Sequence, residues 1–247
     1  VVHVEAGMRS FDRSMPEELN RVLTDHASAL LLCSSQVAVA NLEAEAVRGR
    51  VDLVGDVMVD VALRFADMAA GAPESVLDAF DVAPGAYLLL TAHRTGNVDD
   101  PARLDTLVKL IGVLPAPIVF PLHPRTRRRL SEAGLLAEVE KIDGLLITEP
   151  LGYIEFGALL RNARAVVTDS GGVQKEAYLA GVPCVTLRAE TEWVETVETG
   201  WNTLVDLDPP LALAALDRER PAGHPPLYGD GHAAERCVEA LDGLAAV

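Results

Sequence analysis

The chain has 247 residues, 49% hydrophobic and 23% charged, enough to bury the core of one large domain or two modest ones. A formal charge of −16 and a pI near 4.7 argue against non-specific binding to nucleic acid or to an anionic membrane surface. They do not exclude an anionic ligand, because backbone N–H groups and a few local cations can hold a phosphate.

Three negative signals narrow the class further. No apolar run is long enough for a transmembrane helix. Cys33, Cys184 and Cys237 lie far apart, with no CxxC or Cys/His metal spacing, which reads as buried thiols in a reducing cytoplasm. The first residues, Val1-Val2-His3-Val4-Glu5, have no basic n-region and no long apolar stretch, so they are not a signal peptide. They lack an initiator Met and start inside a strand-like run, which is expected of a chain cut from a longer one.

The first predicted strand, Val1–Val4, leads into His3-Val4-Glu5-Ala6-Gly7-Met8-Arg9. Strand alternation puts His3 and Glu5 on one face. Glu5 falls at the strand's C-terminal end, as a candidate general base or as a loop carboxylate pairing with Arg9. Ser14-Met15-Pro16-Glu17-Glu18 then opens a helix over Pro16–Asp25. Ser14 with Glu17 forms a capping box, or Glu17 and Glu18 supply proton transfer. A strand over Ala29–Cys33, a helix over Gln36–Val47, a strand over Val51–Val54 and a helix over Val57–Ala69 follow. Gly71, Pro73, Pro84 and Gly85 mark a break near Ala70–Gly85.

Beyond the break, a strand over Tyr87–Thr91 runs into Ala92-His93-Arg94. A helix over Ala102–Val113 precedes a strand over Ile118–Leu122, which runs into His123. Both histidines sit just past strand ends, where open α/β sheets bind ligands. A His there can hydrogen-bond a phosphate, or as imidazolium stabilise a departing one, or simply cap a loop. Arg125, Arg127, Arg128 and Arg129, on a helix over Arg125–Ala133, read as a solvated face. A strand over Leu145–Thr148 and a helix over Tyr153–Asn162 come next.

The strongest local signal follows. A strand over Ala165–Thr168 ends at Asp169-Ser170-Gly171-Gly172, and a helix runs over Gly172–Ala180. Glycines let a ligand approach the backbone, and the helix N-terminus offers unpaired N–H groups and a positive dipole end. A diphosphate fits such a turn, with Ser170 as a hydroxyl donor and Glu176 placed for the hydroxyls of a ribose. A tight turn with Ser170 as N-cap is the simpler alternative. The spacing is neither a GxGxxG nor a Walker loop, so neither NAD nor ATP is indicated. Strands over Cys184–Leu187 and Thr203–Asp206, a rigid Pro221–Pro226 loop and a helix over Asp230–Leu244 close the chain.

Most of the strands are continuous apolar runs alternating with helices, the pattern of a doubly wound parallel α/β sheet. Six strands lie between Tyr87 and Asp206, and only three precede the break.

The segments HVEAGMRS, MPEELNR, VGDVMVD, TAHR, PLHPRT, TDSGGVQKEA and YGDGHAAERCVEAL occur in the order found in non-hydrolysing UDP-N-acetylglucosamine 2-epimerases. The resemblance covers essentially the whole chain. It implies an α/β, GT-B-like fold of two Rossmann-like domains facing a cleft, the N-terminal one incomplete here. Residues 1–78 would be that partial domain, 79–224 the UDP-binding domain, and 225–247 a helix packing back on the first.

The resemblance also implies a homodimer acting on a UDP-sugar, with no metal or cofactor; the acidic charge argues for no nucleic-acid or membrane partner and the cysteine usage for a cytoplasmic location. Glu5 and Glu17 match carboxylates of the acid/base steps, and His93 a catalytic histidine near the diphosphate. Ser170, Gly171 and Gly172 match the diphosphate turn, Glu176 the ribose carboxylate and Phe156 the residue beside uracil. Arg94 and His123 match positions near the cleft. The family's GTRPE-type loop and HGDT segment have no counterpart in these 247 residues. That leaves a UDP-binding module without catalysis as an alternative. Glu190-Thr191-Glu192-Trp193-Val194-Glu195 looks closer to the branch acting on UDP-2,3-diacetamido-2,3-dideoxyglucuronate. A glycosyltransferase sharing the fold and the nucleotide-sugar donor is a further alternative.

Overall fold

The computed structural model describes residues 1–13, 15–70 and 73–245. Ser14 and Gly71 lie outside the described residues, and with them the expected Ser14 cap and part of the predicted break. The chain divides into two compact units: Val1–Ala66 with Pro225–Val247, and Asp67–His224.

The first unit is built on β1 (Val2–Ala6), α1 (Pro16–Ala27), β2 (Leu30–Cys33), α2 (Gln36–Ala44) and β3 (Arg50–Leu53), and α3 (Val57–Ala70) begins in it. Its three strands are parallel in the order β1-β2-β3. All four β2 residues are fully buried because helices cover both faces. Leu31 and Cys33 pack with Ala6, Ala38 and Leu42 on the α2 side. Leu30 and Leu32 pack with Val54 and with Cys237 and Ala240 of the C-terminal helix, Ala233–Ala245.

The expected alternation of β1 fails at one residue. The β1–β2 register shifts between Val4 and Ala6, and Glu5 has φ 66°. A bulge interrupts the period of two, so His3 and Glu5 do not share a face by simple alternation. α1 starts as predicted at Pro16, with Met15 at its N-cap and no side-chain cap there. α2 stops earlier than expected. Ala46 adopts φ 52°, and the Ala46 and Val47 N–H groups donate back to Glu43 and Leu42. The helix thus ends in a left-handed cap without the glycine that would announce it.

Asp25, in the last turn of α1, is fully buried and organises this unit. Its carboxylate accepts from His3 Nδ1 (2.5 Å), Gly7 N (3.1 Å) and the Arg9 guanidinium (2.7 Å). Arg9 also donates to both oxygens of Glu45 and to the Met8 carbonyl. The Arg9 guanidinium therefore serves Asp25, Glu45 and the loop backbone.

The second unit adds α4 (Pro73–Ala79), β4 (Leu88–Thr91), α5 (Thr95–Val98), α6 (Pro101–Ile111), β5 (Ile118–Pro121), α7 (Pro124–Glu132), α8 (Leu136–Val139) and β6 (Leu145–Thr148). It continues with α9 (Tyr153–Asn162), β7 (Ala165–Thr168), α10 (Gly171–Leu179), β8 (Cys184–Thr186), α11 (Val194–Glu198), β9 (Asn202–Leu204) and α12 (Pro209–Leu216). The sheet is all parallel, in the order β6-β5-β4-β7-β8-β9. That is the doubly wound Rossmann order, with its switch point between β4 and β7.

Alternate residues of β4 to β8 face two separate cores. Leu88, Leu90, Phe120 and Val167 pack with Leu104, Leu107 and Leu130. Leu89, Val119 and Val166 pack with Leu159, Leu160 and Ala177. α12 was not anticipated. Its Pro-Pro-Leu-Ala-Leu-Ala-Ala-Leu run has no polar face, although Asp208 caps it by accepting from Leu211 N at 2.9 Å. No helix among the described residues is long and apolar enough to cross a membrane.

Burial pushes the Asp25 carboxyl up, but the hydrogen bonds from His3, Arg9 and Gly7 outweigh it and hold it below the ordinary carboxylate range. A depressed folded-state pKa stabilises above the unfolded value, near 3.9, and that stability is lost as pH falls through the folded value. The stability gap between the native chain and Asp25→Asn should therefore be full from pH 7 down to about pH 4 and shrink progressively as the pH falls further, through the folded value. Urea unfolding at pH 7 and across the acid range below about pH 4 measures it, and a gap that stays unchanged down to acid unfolding would contradict the assignment.

Candidate functional site

At the switch point, β4 and β7 run side by side and end at Thr91 and Thr168, whose hydroxyls are 2.6 Å apart. The chain leaves β7 through Asp169, which is fully buried. The Asp169 carboxylate accepts from His93 N (3.0 and 3.1 Å), Arg94 N (2.9 Å) and Asn97 Nδ2 (3.1 Å). One side chain thus ties the loop after β4 to the turn after β7. Asn97 also donates to the Leu187 carbonyl, bringing in the end of β8.

His93 follows from this clamp. Its Nδ1 is 3.7 Å from Asp169, and its ring stacks on His123 with centroids 5.1 Å apart. Burial pulls the His93 pKa down; Asp169 opposes this, while His123, Arg94 and Arg125 add to it. An imidazole held in this way is a neutral hydrogen-bonding partner at pH 7 until an anion arrives to favour its charge. His123 caps α7, its Nδ1 accepting from Arg125 N at 3.1 Å. That bond leaves the proton of a neutral ring on Nε2.

The arginines after His123 behave as surface groups. Arg125 and Arg129 pair with Asp99, Arg127 with Glu149 and Arg128 with Glu132.

Ser170 is the N-cap of α10, with its Oγ 3.5 Å from Val173 N and its own N–H on Thr168 Oγ1 at 3.0 Å. The two glycines differ. A Cβ on Gly171 would come within 2.5 Å of Glu192 Oε1 and 3.5 Å of Trp193 Nε1. A Cβ on Gly172 would meet nothing nearer than Ser170 Oγ at 4.0 Å, and the residue is exposed. Gly171 therefore lets the 188–196 loop pack close, and Gly172 leaves the helix N-terminus open to a ligand.

That loop is anchored by buried polar groups. Thr191 Oγ1 donates to Gln174 Oε1 at 2.6 Å, and Asn202 Nδ2 donates to the same oxygen at 3.1 Å. Arg188 pairs with Glu192 at 2.8 Å, with Arg94 3.9 Å from the other Glu192 oxygen. Lys175 Nζ lies 4.0 Å from the Trp193 ring centroid.

Glu176 sits further along α10, where burial raises its carboxyl pKa and Lys175 partly offsets this. Burial and the Glu176 charge both push up the phenol of Tyr153, at the start of α9. Phe156, one turn along α9, is half-buried against the core that holds Leu89 and Val166. In this unit the structure thus brings together His93, Arg94, His123, Ser170 and Gly171 at strand ends. Glu176 and Phe156 lie on the helices beside them.

In the first unit, Glu5 is exposed in its left-handed bulge and Glu17 is exposed in the first turn of α1. The neighbouring Glu18 is buried, accepting from Ser10 N, Ser10 Oγ and Phe11 N at 3.0 to 3.1 Å. The sequence pattern points to Glu17, but Glu18 is the residue that shapes this loop. Asp169 and Glu192 are further site residues that the motifs alone do not single out. Asp169 had a readable signal, since it stands directly before the Ser-Gly-Gly turn at the end of a buried strand. Glu192 had none, because its role depends on a contact 21 residues away. Among the described residues, no group of three or more His, Cys, Asp or Glu side chains is gathered to hold a metal ion.

A doubly wound sheet with an open helix N-terminus at its switch point is the architecture of a nucleotide- or phosphate-binding domain. Comparison with known proteins makes this specific. The UDP-N-acetylglucosamine 2-epimerase family model matches residues 1–242, and the chain belongs to that family. It is 42% identical over 246 residues to a UDP-N-acetylglucosamine 2-epimerase homolog of Methanococcus maripaludis, covering 99% of the chain and 69% of the relative. It is 43% identical over 252 residues to the UDP-2,3-diacetamido-2,3-dideoxy-D-glucuronate 2-epimerase of Pseudomonas aeruginosa, covering 98% and 67%. Among solved structures it is similar to Methanocaldococcus jannaschii UDP-GlcNAc 2-epimerase in complex with UDP-GlcNAc and UDP. The TM-score there is 0.89 at 41% identity, covering 98% of the chain and 68% of the other.

The two glycines give a paired prediction. Gly171→Ala should destabilise the unit by about 1–3 kcal/mol, as overpacking displaces Glu192. Gly172→Ala should leave unfolding unchanged or slightly improved, yet weaken UDP binding by about tenfold or more, roughly 1.4 kcal/mol. Urea unfolding and calorimetry separate the two effects, and UDP bound by Gly172→Ala at native strength would count against the site.

Proposed function

We propose that the protein is a non-hydrolysing UDP-N-acetylglucosamine 2-epimerase, interconverting UDP-N-acetylglucosamine and UDP-N-acetylmannosamine. The observation that carries this reading is the α10 turn. It is an open helix N-terminus at the β4/β7 switch point, beside the stacked His93 and His123 rings. Family membership supplies the reaction.

Its chemistry follows in two steps. A base removes the C2 proton while the C1–O bond breaks and UDP leaves, giving a 2-acetamidoglucal. UDP then adds back at C1 while a proton is delivered to the opposite face of C2. The energetic problem is charge developing on the departing diphosphate, which fixed N–H dipoles and a nearby imidazole stabilise without reorganising. In this reading the α10 N-terminus with Ser170, Gly171 and Gly172 takes the diphosphate. His93 is the catalytic histidine, gaining charge as UDP departs, with Arg94 and His123 close by. Glu176 takes the ribose hydroxyls, and Phe156 lies beside the uracil. Glu5 and Glu17 carry the proton transfers, and the left-handed bulge at Glu5 is consistent with a strained functional position.

The same reading carries a homodimer working in the cytoplasm on precursors of cell-surface polysaccharide. A second substrate, UDP-2,3-diacetamido-2,3-dideoxyglucuronate, is favoured by the Glu190–Glu195 segment and by the Pseudomonas relative. Turnover in deuterium oxide tests both. With the correct sugar nucleotide, deuterium should enter C2 and the 2-epimer should accumulate, both visible by proton NMR. Glu5→Gln should slow this exchange by roughly 10²- to 10⁴-fold while leaving UDP binding intact. Epimer formed without deuterium at C2 would rule out proton abstraction, and no turnover of either sugar would overturn the activity.

A further inference from the structure

The first unit contains a fully buried carboxylate that the proposed reaction does not use. Asp25 accepts from His3 Nδ1 through Oδ1 at 2.5 Å and from Gly7 N through Oδ2 at 3.1 Å. Those two partners lie two residues before and two residues after Glu5. Glu5 is the residue at which the β1 register shifts, with φ 66°. A left-handed φ is unusual for a glutamate and persists only where surrounding contacts over-determine it.

The surroundings do so here. Arg9 donates to Asp25 Oδ2, the oxygen that also accepts from Gly7 N, at 2.7 Å, and to the Met8 carbonyl. Asn41 Nδ2 donates to the Gly7 carbonyl at 2.9 Å. Gly7 itself, at φ 80°, lies so close to α2 that a Cβ would come within 2.2 Å of the Ala38 carbonyl oxygen. Both flanks of the bulge are therefore pinned, and Asp25 bonds to both of them.

We propose that Asp25 is a positioning residue which, through His3 on one side and Gly7 on the other, fixes the bulge that aims Glu5. This inference rests on the reading of Glu5 as an acid/base group. Asp25 acts through the backbone on either side of Glu5, and the bond to Oδ1 also sets the His3 tautomer, with its proton on Nδ1. A general base misplaced by about 1 Å loses roughly 10²-fold in rate.

The test uses the full-length protein and its C2 deuterium exchange, with kcat and KM measured separately. His3→Ala and Asp25→Asn should each lower kcat by roughly 10²-fold. KM and UDP affinity should stay within about twofold, as expected when ground-state binding is untouched. His3→Asn, whose amide can still donate to Asp25, should recover most of the lost rate. In a Glu5→Gln background, His3→Ala and Asp25→Asn should cost almost nothing further, because groups acting as one unit are not additive. Should Asp25→Asn fail to fold, His3→Ala at a partly exposed ring carries the test alone. Native kcat in His3→Ala and Asp25→Asn, or losses that persist undiminished in the Glu5→Gln background, would overturn the positioning role. Full exchange by Glu5→Gln alone would instead overturn the underlying reading of Glu5, and the inference with it.

Discussion

The second unit depends on one buried carboxylate. Asp169 sits where two parallel strands diverge at the sheet's switch point, and it is surrounded by N–H donors from the loop after β4. A buried carboxylate is tolerated only when its oxygens are satisfied, and these are. The same bonds place the backbone of His93 and Arg94 and leave the α10 N-terminus beside them. Without the clamp, the β4 and β7 loops would have to find their relative positions when ligand arrives, at a cost in ordering free energy.

The 188–196 loop extends this logic. Gly171 lets Glu192 approach the turn, Arg188 and Arg94 balance its charge, and Thr191 and Asn202 converge on Gln174. Each polar group in this layer does two things: it satisfies a buried neighbour and fixes the wall of the site. A segment that reads in the sequence as a mark of substrate branch is, in the structure, also part of the scaffold of the α10 turn. The first unit repeats the pattern with Asp25, which joins β1, the Gly7 turn and Arg9.

Much of the fold was legible because its strands are short, continuous and apolar. Leu30–Cys33, Leu145–Thr148 and Ala165–Thr168 are readable from composition alone, and the turn residues around them set their limits. The departures have local physical causes. β1 runs on to Ala6 through a bulge at Glu5, which no residue type in the sequence signals. α2 ends at Ala44 because Ala46 takes a left-handed conformation normally given to glycine. α12 escaped notice because a helix of Pro, Leu and Ala shows no polar face, though Asp208-Pro209 was a readable cap. At the site, residues adjacent in sequence to the Ser-Gly-Gly turn could be found. Residues that reach it from a distance, Asn97, Glu192 and Asn202, could not, because their roles exist only after folding.

Asp169 holds the turn proposed to take the diphosphate ready before ligand arrives. The most direct test is UDP binding by calorimetry to Asp169→Asn, alongside a measurement of its fold. The amide keeps the shape but offers one acceptor oxygen where the carboxylate offers two, leaving buried donors poorly matched at about 1–3 kcal/mol. The expected result is a folded protein whose UDP affinity drops by about tenfold or more, equivalent to roughly 1.4 kcal/mol. Native UDP affinity in a folded Asp169→Asn protein would contradict it.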